Sequence, residues 1–327
     1  MGTVYVFQPD VVLTQDGGLL RVRRMGPPGQ REELLNRPLA QITEVVLFGQ
    51  ATVTPGALYA LLEQGAGIHY LTRGGRHFAH VTPSENKNAP LRVQQYAAHL
   101  DPERKLRVAR RIVQGKIQNA VTLLKRRQAD TAPILALSTR IARCETVDGL
   151  RGLEGVAARH YFAALGASFP PDFAFTERSR RPPRDPTNSL LSLAYTFLAK
   201  EAQTATRVAG LDPMIGYLHE VKYGRPALAL DLMEEFRAIL ADSVVLTLLN
   251  REMLSPEDFD DSAGFPQLTE NGFKQFLRAW EDRLMQTVKH PLLGQKLDYR
   301  QILLAQARIL GKHLMGELDE YLPFTVR

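Results

Sequence analysis

Residues 101–127 read DPERKLRVARRIVQGKIQNAVTLLKRR, and this stretch decides the fold class. Asp101 followed by Pro102 is typical of an N-cap with proline in the first helical turn. Apolar residues then recur at the spacing of one helix face: Leu106, Ala109, Ile112, Val113, Ile117, Val121 and Leu124. The other faces carry Arg104, Lys105, Arg107, Arg110, Arg111, Lys116, Lys125, Arg126 and Arg127. The pattern predicts a long amphipathic helix over 103–127.

The sequence keeps its helical character after this point. Apolar periodicity predicts further helices at 134–144, 155–166, 187–209, 226–253, 270–288 and 299–319. One stretch, SFPPDFAFTERSRRPPRDPT at 168–187, contains too many prolines for a helix and is interpreted as a loop.

Residues 1–85 have a different pattern. Short segments rich in β-branched residues predict strands at 3–7, 11–15, 19–22, 44–48, 51–54, 67–71 and 77–81, with one helix at 57–64. Two Gly-Gly pairs, at 17–18 and 74–75, predict hairpin turns. We therefore expect an α+β fold, in which a small β-rich domain (1–85) is joined by a linker (86–98) to a larger all-α domain (99–327).

Composition limits the classes of function. The apolar share is 44% and no apolar run approaches the roughly 20 residues of a membrane helix. The first residues lack the features of a secretory signal. Cys144 is the one cysteine, which excludes a CxxC redox site or a zinc knuckle and fits a reducing compartment. These features predict a cytoplasmic protein with no membrane partner.

Charge is concentrated in the middle of the chain. Residues 91–186 contain 18 Lys/Arg against 9 Asp/Glu, whereas the segments on either side are nearly neutral or slightly acidic. A basic segment is what the docking of a polyanion such as nucleic acid requires. A solvated helix face gives the same pattern, so the charge alone has two interpretations: a nucleic-acid surface or a solvated face.

Three places carry residues suited to chemistry. Glu154 lies between two glycines at the predicted start of a helix, where the helix dipole alone favours an acid. His219 follows an apolar pair and reads equally as a structural histidine. Asp231 and Glu234 interrupt a long apolar helix, three residues apart and therefore on one face.

The surroundings of the acid pair favour a ligand site. The other residues on that helix face are Ala227, Ala238 and Ala241, and large apolar residues cover the remaining sides. Buried carboxylates need a partner, and one divalent cation satisfies two of them. Carboxylates and an imidazole without a thiolate suit Mg²⁺ or Mn²⁺.

Longer motifs around these residues resemble a known family. LEGVAARHYF (153–162), RPPRDPTNSLLSLAYTFL (181–198), GLDPMIGYLHEVKYGRPALALDLMEEFR (210–237) and DYRQILLAQARILGKHLMGELDEYLPF (298–324) are similar to motifs of the CRISPR-associated adaptation integrase/endonuclease, the first and near-universal Cas protein. The resemblance runs over nearly the whole chain. It implies a β domain that pairs two subunits into a homodimer and a helical domain that holds the catalytic site.

The resemblance also implies residue roles and a reaction. Glu154, His219 and Glu234 match the family's three metal ligands, and Asp231 matches a supporting acid close to the metal. The implied reaction is transesterification with Mg²⁺ or Mn²⁺, in which a prespacer 3′-OH attacks a phosphodiester of the CRISPR repeat. With water as the nucleophile the same site is an endonuclease that acts on branched or free DNA. A small second Cas adaptation subunit is the expected partner.

The DNA surface and two alternatives complete the predictions. The candidate phosphate contacts are Arg178, Arg180, Arg181, Arg184, Lys222 and Arg225, together with the Arg-rich helix 104–127. One alternative is a structure-specific, metal-dependent DNase that acts in DNA repair without integration. The other is a non-catalytic DNA-binding scaffold whose acids and histidine form a structural network.

Overall fold

The chain folds as two units in the computed structural model. The structure describes residues 2–25, 32–72, 77–83, 88–179, 182–262 and 264–326. Contacts divide the chain into Met1–Glu85 and Asn86–Arg327. Strands dominate the first unit and helices the second, so the predicted α+β class is confirmed. Within the described ranges, no helix is both long enough and apolar enough to span a bilayer.

The first unit contains two four-stranded sheets. One sheet has the order β1 (Gly2–Val6), β5 (Ile42–Phe48), β7 (Gly67–Leu71) and β8 (His77–Val81). The other has the order β4 (Glu32–Pro38), β3 (Leu19–Arg24), β2 (Val11–Asp16) and β6 (Ala51–Val53). Strands β1, β5 and β7 run parallel, and β8 is antiparallel to β7.

The two sheets share one apolar core with helix α1 (Pro55–Glu63). Strands β2 and β3 alternate buried and more exposed residues, as expected for strands with one buried face. The buried residues of the core include Val4, Val6, Val11, Leu13, Leu20, Val22, Val45, Leu47, Leu61 and Ile68.

The first predicted hairpin turn is confirmed. Asp16 pairs with Leu19, and both Gly17 and Gly18 have positive φ, which a tight turn between twisted strands requires. The second predicted turn, at residues 73–75, lies outside the described residues. Strand β4 was not predicted, because its sequence, EELLNRP, lacks the alternation of polar and apolar residues that indicates a strand.

The prediction of a linker at 86–98 is wrong over most of its length. Residues 86–87 lie outside the described part, and Ala89–Leu100 form helix α2. The side chain of Asn88 accepts a hydrogen bond from the Leu91 amide, and Pro90 occupies the first turn. Proline is compatible with the first turn of a helix, because its missing N–H would have no helical partner there.

Besides α2 and short 3₁₀ and π segments, the described part of the second unit contains nine α-helices. They are α3 (Pro102–Arg126), α4 (Ala132–Leu135), α5 (Ser138–Ala142), α6 (Val147–Gly166), α7 (Pro186–Val208), α8 (Ala227–Met233), α9 (Ser243–Asn250), α10 (Glu270–Leu284) and α11 (Tyr299–Leu314). Helix α8 and the segment after it pack against both α3 and α7. Two short hairpins, β9–β10 (Phe259–Asp260 and Gln267–Leu268) and β11–β12 (Thr287–Lys289 and Lys296–Asp298), interrupt the otherwise helical unit.

The helix predicted at 226–253 is not continuous. Helix α8 ends at Met233, a turn follows at 234–236, and Arg237–Asp242 then form a π-helix that leads into α9. A π-turn contains one residue more than an α-turn, and such turns are frequent at functional sites. The interruption begins at the predicted ligand Glu234.

Four other helix predictions need correction. The helices predicted at 270–288 and 299–319 end earlier, at Leu284 and Leu314. The helix predicted at 155–166 begins eight residues earlier, because Thr146 caps Val147–Gly166 by accepting a hydrogen bond from the Gly149 amide. The helix predicted at 134–144 is split into α4 and α5.

The C-terminal segment packs against the middle of α3. The Asn119 side chain donates to the carbonyl oxygens of Glu235 and Phe324, at 2.7 and 2.8 Å, and accepts from the Val326 amide. Glycine is needed beside this contact, since a Cβ on Gly115 would lie 2.5 Å from the Pro323 Cβ. Backbone and side-chain bonds therefore hold the segment on the helix.

We expect Gly115→Ala to lower the free energy of unfolding by about 1–3 kcal/mol, because the added methyl overlaps Pro323 in a packed interface. Gly152→Ala on α6 is the control, since a Cβ there meets nothing within 4 Å and a helical alanine gains about 0.5–1 kcal/mol. Urea unfolding followed by circular dichroism measures both changes. Equal stability of the two variants would contradict the close contact.

Candidate metal centre

Helix α8 and the turn after it carry three buried acids. Asp231, Glu234 and Glu235 are 0%, 4% and 0% exposed, although carboxylates are among the groups least often buried. Each therefore needs a partner, and each finds it in a different part of the chain.

Asp231 holds the loop that carries His219. Its carboxylate accepts backbone hydrogen bonds from Tyr217, Leu218 and His219, the last two at 3.0 and 2.8 Å. It also lies 2.7 Å from His219 Nδ1. Because the Asp231 oxygens accept from three backbone amides, Nδ1 is the donor in this contact, and in the neutral imidazole Nε2 then keeps its lone pair. This is the arrangement in which a histidine ligates metal.

The chain comes close to itself at this loop. A Cβ on Gly216 would lie 2.7 Å from Asp231 Oδ2 and 2.7 Å from the backbone of Ala227, so glycine is required. Helix α2 supports the loop from the other side. The amide of Gln95 bonds the backbone of Asp212 and Ile215, and His99 Nδ1 lies 2.7 Å from the Gly216 carbonyl oxygen.

Glu234 is surrounded by positive and imidazole groups. Arg237 Nη1 lies 2.9 Å from Glu234 Oε1, Lys116 Nζ lies 2.5 Å from Oε2, and His219 Nε2 is 3.8 Å from Oε1. Burial alone raises the pKa of Glu234, but the charges of Arg237 and Lys116 more than offset it and hold the pKa well below its usual range. Glu234 is therefore ionised in the folded protein.

Glu154 completes the cluster from α6. Its Oε1 forms an ion pair with the same Lys116 ammonium that contacts Glu234. The two carboxylates come from helix α6 and from the turn after α8, and the ammonium comes from α3. The two carboxylates thus meet at one position, which the Lys116 ammonium occupies.

A second buried network holds Arg237 in place. Its guanidinium lies over the Tyr195 ring, 4.1 Å from the centroid. The hydroxyls of Tyr195 and Tyr161 each donate to Asp242 at 2.6 Å, and burial raises the pKa of both phenols. Since Asp242 ends the π-helix that begins at Arg237, this network fixes the geometry of the segment after Glu234.

The donors present fit a divalent cation that prefers oxygen and imidazole. Glu154 and Glu234 supply carboxylates that share one cation position, and His219 presents Nε2 toward Glu234. Glu234 Oε2 is buried, and its partner is the Lys116 ammonium, with which it forms an ion pair. Within the described ranges, no three His, Cys, Asp or Glu side chains already have the closeness of a bound metal site.

Comparisons with known proteins place the chain in a family. The family model described as CRISPR associated protein Cas1 matches residues 4–282. The chain is 55% identical, over all of its length and 98% of the relative's, to the CRISPR-associated endonuclease Cas1 3 of Thermus thermophilus.

The chain belongs to the Cas1 family.

Solved structures agree with this assignment. A CAS1 protein from Thermotoga maritima has a TM-score of 0.84 at 25% identity, with each chain covered completely. The Cas1 fold also matches part of a chain in a Cas6-RT-Cas1–Cas2 complex, with a TM-score of 0.80 at 25% identity. That match covers 99% of this chain and 36% of the other.

The structure brings the predicted site residues of this Cas1 chain together, but the surroundings of two of them differ from those expected from the sequence. Glu154 lies in the interior of α6, so the helix dipole does not account for it. Asp231 is fully occupied by four donors, which suits the supporting role and leaves it no free oxygen toward a metal.

Two residues of the cluster were missed by the sequence reading. Lys116 was assigned to an outer face of the 103–127 helix, yet its side chain is 13% exposed and lies between Glu154 and Glu234. Arg237 was not considered, although it follows Glu234 by three residues and so lies on the same side of a helix. An isolated Lys near the apolar stripe gave no signal of this role.

The predicted DNA contacts do not all remain available. Arg178 is tied to Asn188 Oδ1 at 2.7 Å and to Ser192 Oγ at 3.0 Å, so it holds its loop against α7. Arg184 and Lys222 are exposed, at 3.6 Å from Glu177 and 2.7 Å from Glu220. Arg225 is half-buried, and Arg180 and Arg181 lie outside the described residues.

The basic side chains of α3 are also partly committed. Arg104 and Arg110 donate to the carbonyl oxygens of Leu314 and Cys144, and Arg111 forms an ion pair with Glu320. A large part of the positive charge on this helix therefore holds the helical unit together.

We expect Asp231→Asn to lower the free energy of unfolding by about 1–3 kcal/mol, because the amide cannot accept all four hydrogen bonds in the buried site. Glu220→Gln, a half-exposed neighbour, is the control and should change stability by less than about 0.5 kcal/mol. Urea unfolding measures both. In ¹⁵N spectra His219 should also lose its preference for a proton on Nδ1; an unchanged tautomer would contradict the role given to Asp231.

Proposed function

We propose that the chain is a metal-dependent DNA endonuclease and integrase that inserts new spacers into a CRISPR array by 3′-OH transesterification. The observation that carries the proposal is that Glu154 and Glu234 meet at one cation position, with His219 Nε2 3.8 Å from the other oxygen of Glu234. Membership of the Cas1 family, whose relatives are named endonucleases, supports a phosphodiester as the substrate.

Glu154, His219 Nε2 and Glu234 would hold the metal, Mg²⁺ or Mn²⁺, with Asp231 orienting the histidine. When bound, such an ion neutralises the non-bridging phosphate oxygens and stabilises the attacking and leaving oxygens. The chain contributes no nucleophile of its own in this proposal. The 3′-OH of the prespacer forms the new phosphodiester bond, and the 3′-oxygen of the repeat strand leaves and takes up a proton.

The side chains of the site act by position. Asp231 keeps the Nε2 lone pair of His219 directed toward Glu234. Arg237 holds one oxygen of Glu234 at 2.9 Å, so the carboxylate has a single orientation before any ligand arrives. A site arranged in advance does not lose rate to reorganisation during the reaction.

The partners follow from the family and from charge. We propose double-stranded DNA, as prespacer and repeat, together with branched DNA, as substrates in the cytoplasm. We propose a homodimer formed through the β-rich domain and a complex with the small second Cas subunit. A similar chain in the Cas6-RT-Cas1–Cas2 complex supports the last point.

The alternative is a structure-specific DNase that acts in repair without integration. It would use the same residues, so geometry does not separate the two.

We expect the protein, in the presence of Mn²⁺, to join 3′-OH oligonucleotides covalently to a supercoiled plasmid that carries a CRISPR repeat. EDTA should abolish joining, and Glu154→Gln or Glu234→Gln should lower the rate by about 100-fold or more because a ligand is lost. Gel electrophoresis with a labelled oligonucleotide measures the product. Glu220→Gln, beside the site but outside the cluster, is the control and should join at the wild-type rate.

Shortened DNA without joined oligonucleotide would favour the repair nuclease over the integrase. Full activity in Glu154→Gln or in EDTA would contradict the metal site itself.

The DNA surface has its own test in the salt dependence of binding. Lys222→Gln should lower the slope of log K against log salt by about 0.9, the value of one phosphate contact on B-DNA. Arg178→Gln should leave this slope unchanged and lower stability, because Arg178 bonds Asn188 and Ser192. Fluorescence anisotropy at several salt concentrations measures the slopes; an unchanged slope in Lys222→Gln would remove that residue from the DNA surface.

A further inference from the structure

The Lys116 ammonium occupies the point at which the two predicted metal-binding carboxylates meet. It forms ion pairs with Glu154 Oε1 and with Glu234 Oε2, the latter at 2.5 Å. Its side chain is 13% exposed, whereas that of Glu234 is 4% exposed. Lys116 comes from α3, so one charge joins α3, α6 and the turn after α8.

This arrangement compensates the charges of Glu154 and Glu234 without any metal. Glu154 and Glu234 carry two negative charges, and Lys116 and Arg237 carry two positive charges. Two carboxylates so close together and so little exposed would repel one another if they were not compensated. The ammonium therefore keeps them together in the metal-free protein.

A divalent cation held between Glu154 and Glu234 would occupy the space that the ammonium fills and would repel its positive charge. Arg237 has no such conflict, because it binds Oε1 of Glu234 from the π-helix side and is held over the Tyr195 ring. Lys116 has a flexible four-carbon stem and only these two ion-pair partners among the described residues. Lys116 is therefore the group that must move when metal enters.

Building on the proposed function, we infer that Lys116 is a positioning residue that competes with the divalent metal for Glu154 and Glu234. It preserves the ligand geometry while the site holds no metal and leaves the carboxylates when metal binds. The site therefore binds metal more weakly than it would without Lys116, and it stays ordered when no metal is bound.

The test measures Mn²⁺ binding by titration calorimetry on the full chain without DNA. Lys116→Met should bind Mn²⁺ about tenfold or more tightly than wild type, because a charge next to a carboxylate changes cation affinity on this scale. Lys116→Gln should behave in the same way, and Lys116→Arg should return affinity toward the wild-type value. The control is Lys125→Met, which removes an exposed ammonium from the same helix and should change the affinity less than twofold.

Thermal unfolding gives a second readout that is independent of activity. Without metal, Lys116→Met should melt at a lower temperature than wild type, since the carboxylates then repel one another. With saturating Mn²⁺ its rise in Tm should exceed that of wild type, because the metal replaces the missing charge and binds more tightly.

Unchanged or weaker Mn²⁺ binding in Lys116→Met and Lys116→Gln would overturn the competition and leave Lys116 as a structural ion pair. Glu154→Gln separates this outcome from failure of the proposed function. If wild type binds Mn²⁺ and Glu154→Gln does not, the metal site stands whatever Lys116 does. If neither wild type nor the Lys116 variants bind Mn²⁺, the metal site fails and the competition fails with it.

Discussion

The structure of the helical unit depends on the burial of three acids within five residues. Asp231, Glu234 and Glu235 lie in a helix and turn enclosed by α3 and α7, where a carboxylate without a partner costs several kcal/mol. The three acids point to three different parts of the chain. Each carboxylate therefore binds a different segment of the chain, which supplies it with hydrogen-bond donors or a positive charge.

The contacts of these three acids hold the site and the helices around it together. Asp231 accepts hydrogen bonds from the loop that carries His219, and Glu234 forms ion pairs with Lys116 and Arg237. Glu235 accepts from the Phe324 amide, the Gln306 side chain and the Tyr321 hydroxyl, and burial still raises its pKa to about 7. The candidate metal ligands thus lie beside the anchor of the C-terminal segment, so local packing and the site are parts of one network.

The sequence was sufficient for the fold class, the first hairpin turn and the existence of the long helices, because each depends on local periodicity or on glycine. Glu154, His219 and Glu234 remain predictions as metal ligands: the spacing of acids on one helix face indicated Glu234, whereas the first two needed family resemblance. Lys116 could not be predicted, since a lysine beside an apolar stripe looks the same whether it faces water or a buried acid. Helix α2 was not predicted in full, because a proline such as Pro90 breaks a helix in its interior but is favoured in its first turn.

The π-helical turn after Glu234 makes chain length, rather than residue identity, the sensitive variable in this region. Each residue of an α-helix turns the chain by about 100°. Removing one residue between 237 and 242 would restore ordinary helical bonding but rotate all of α9 by that angle. The buried residues Val244, Val245 and Leu248 would then point away from their present neighbours. Homologous chains should accordingly accept many substitutions here but few insertions or deletions.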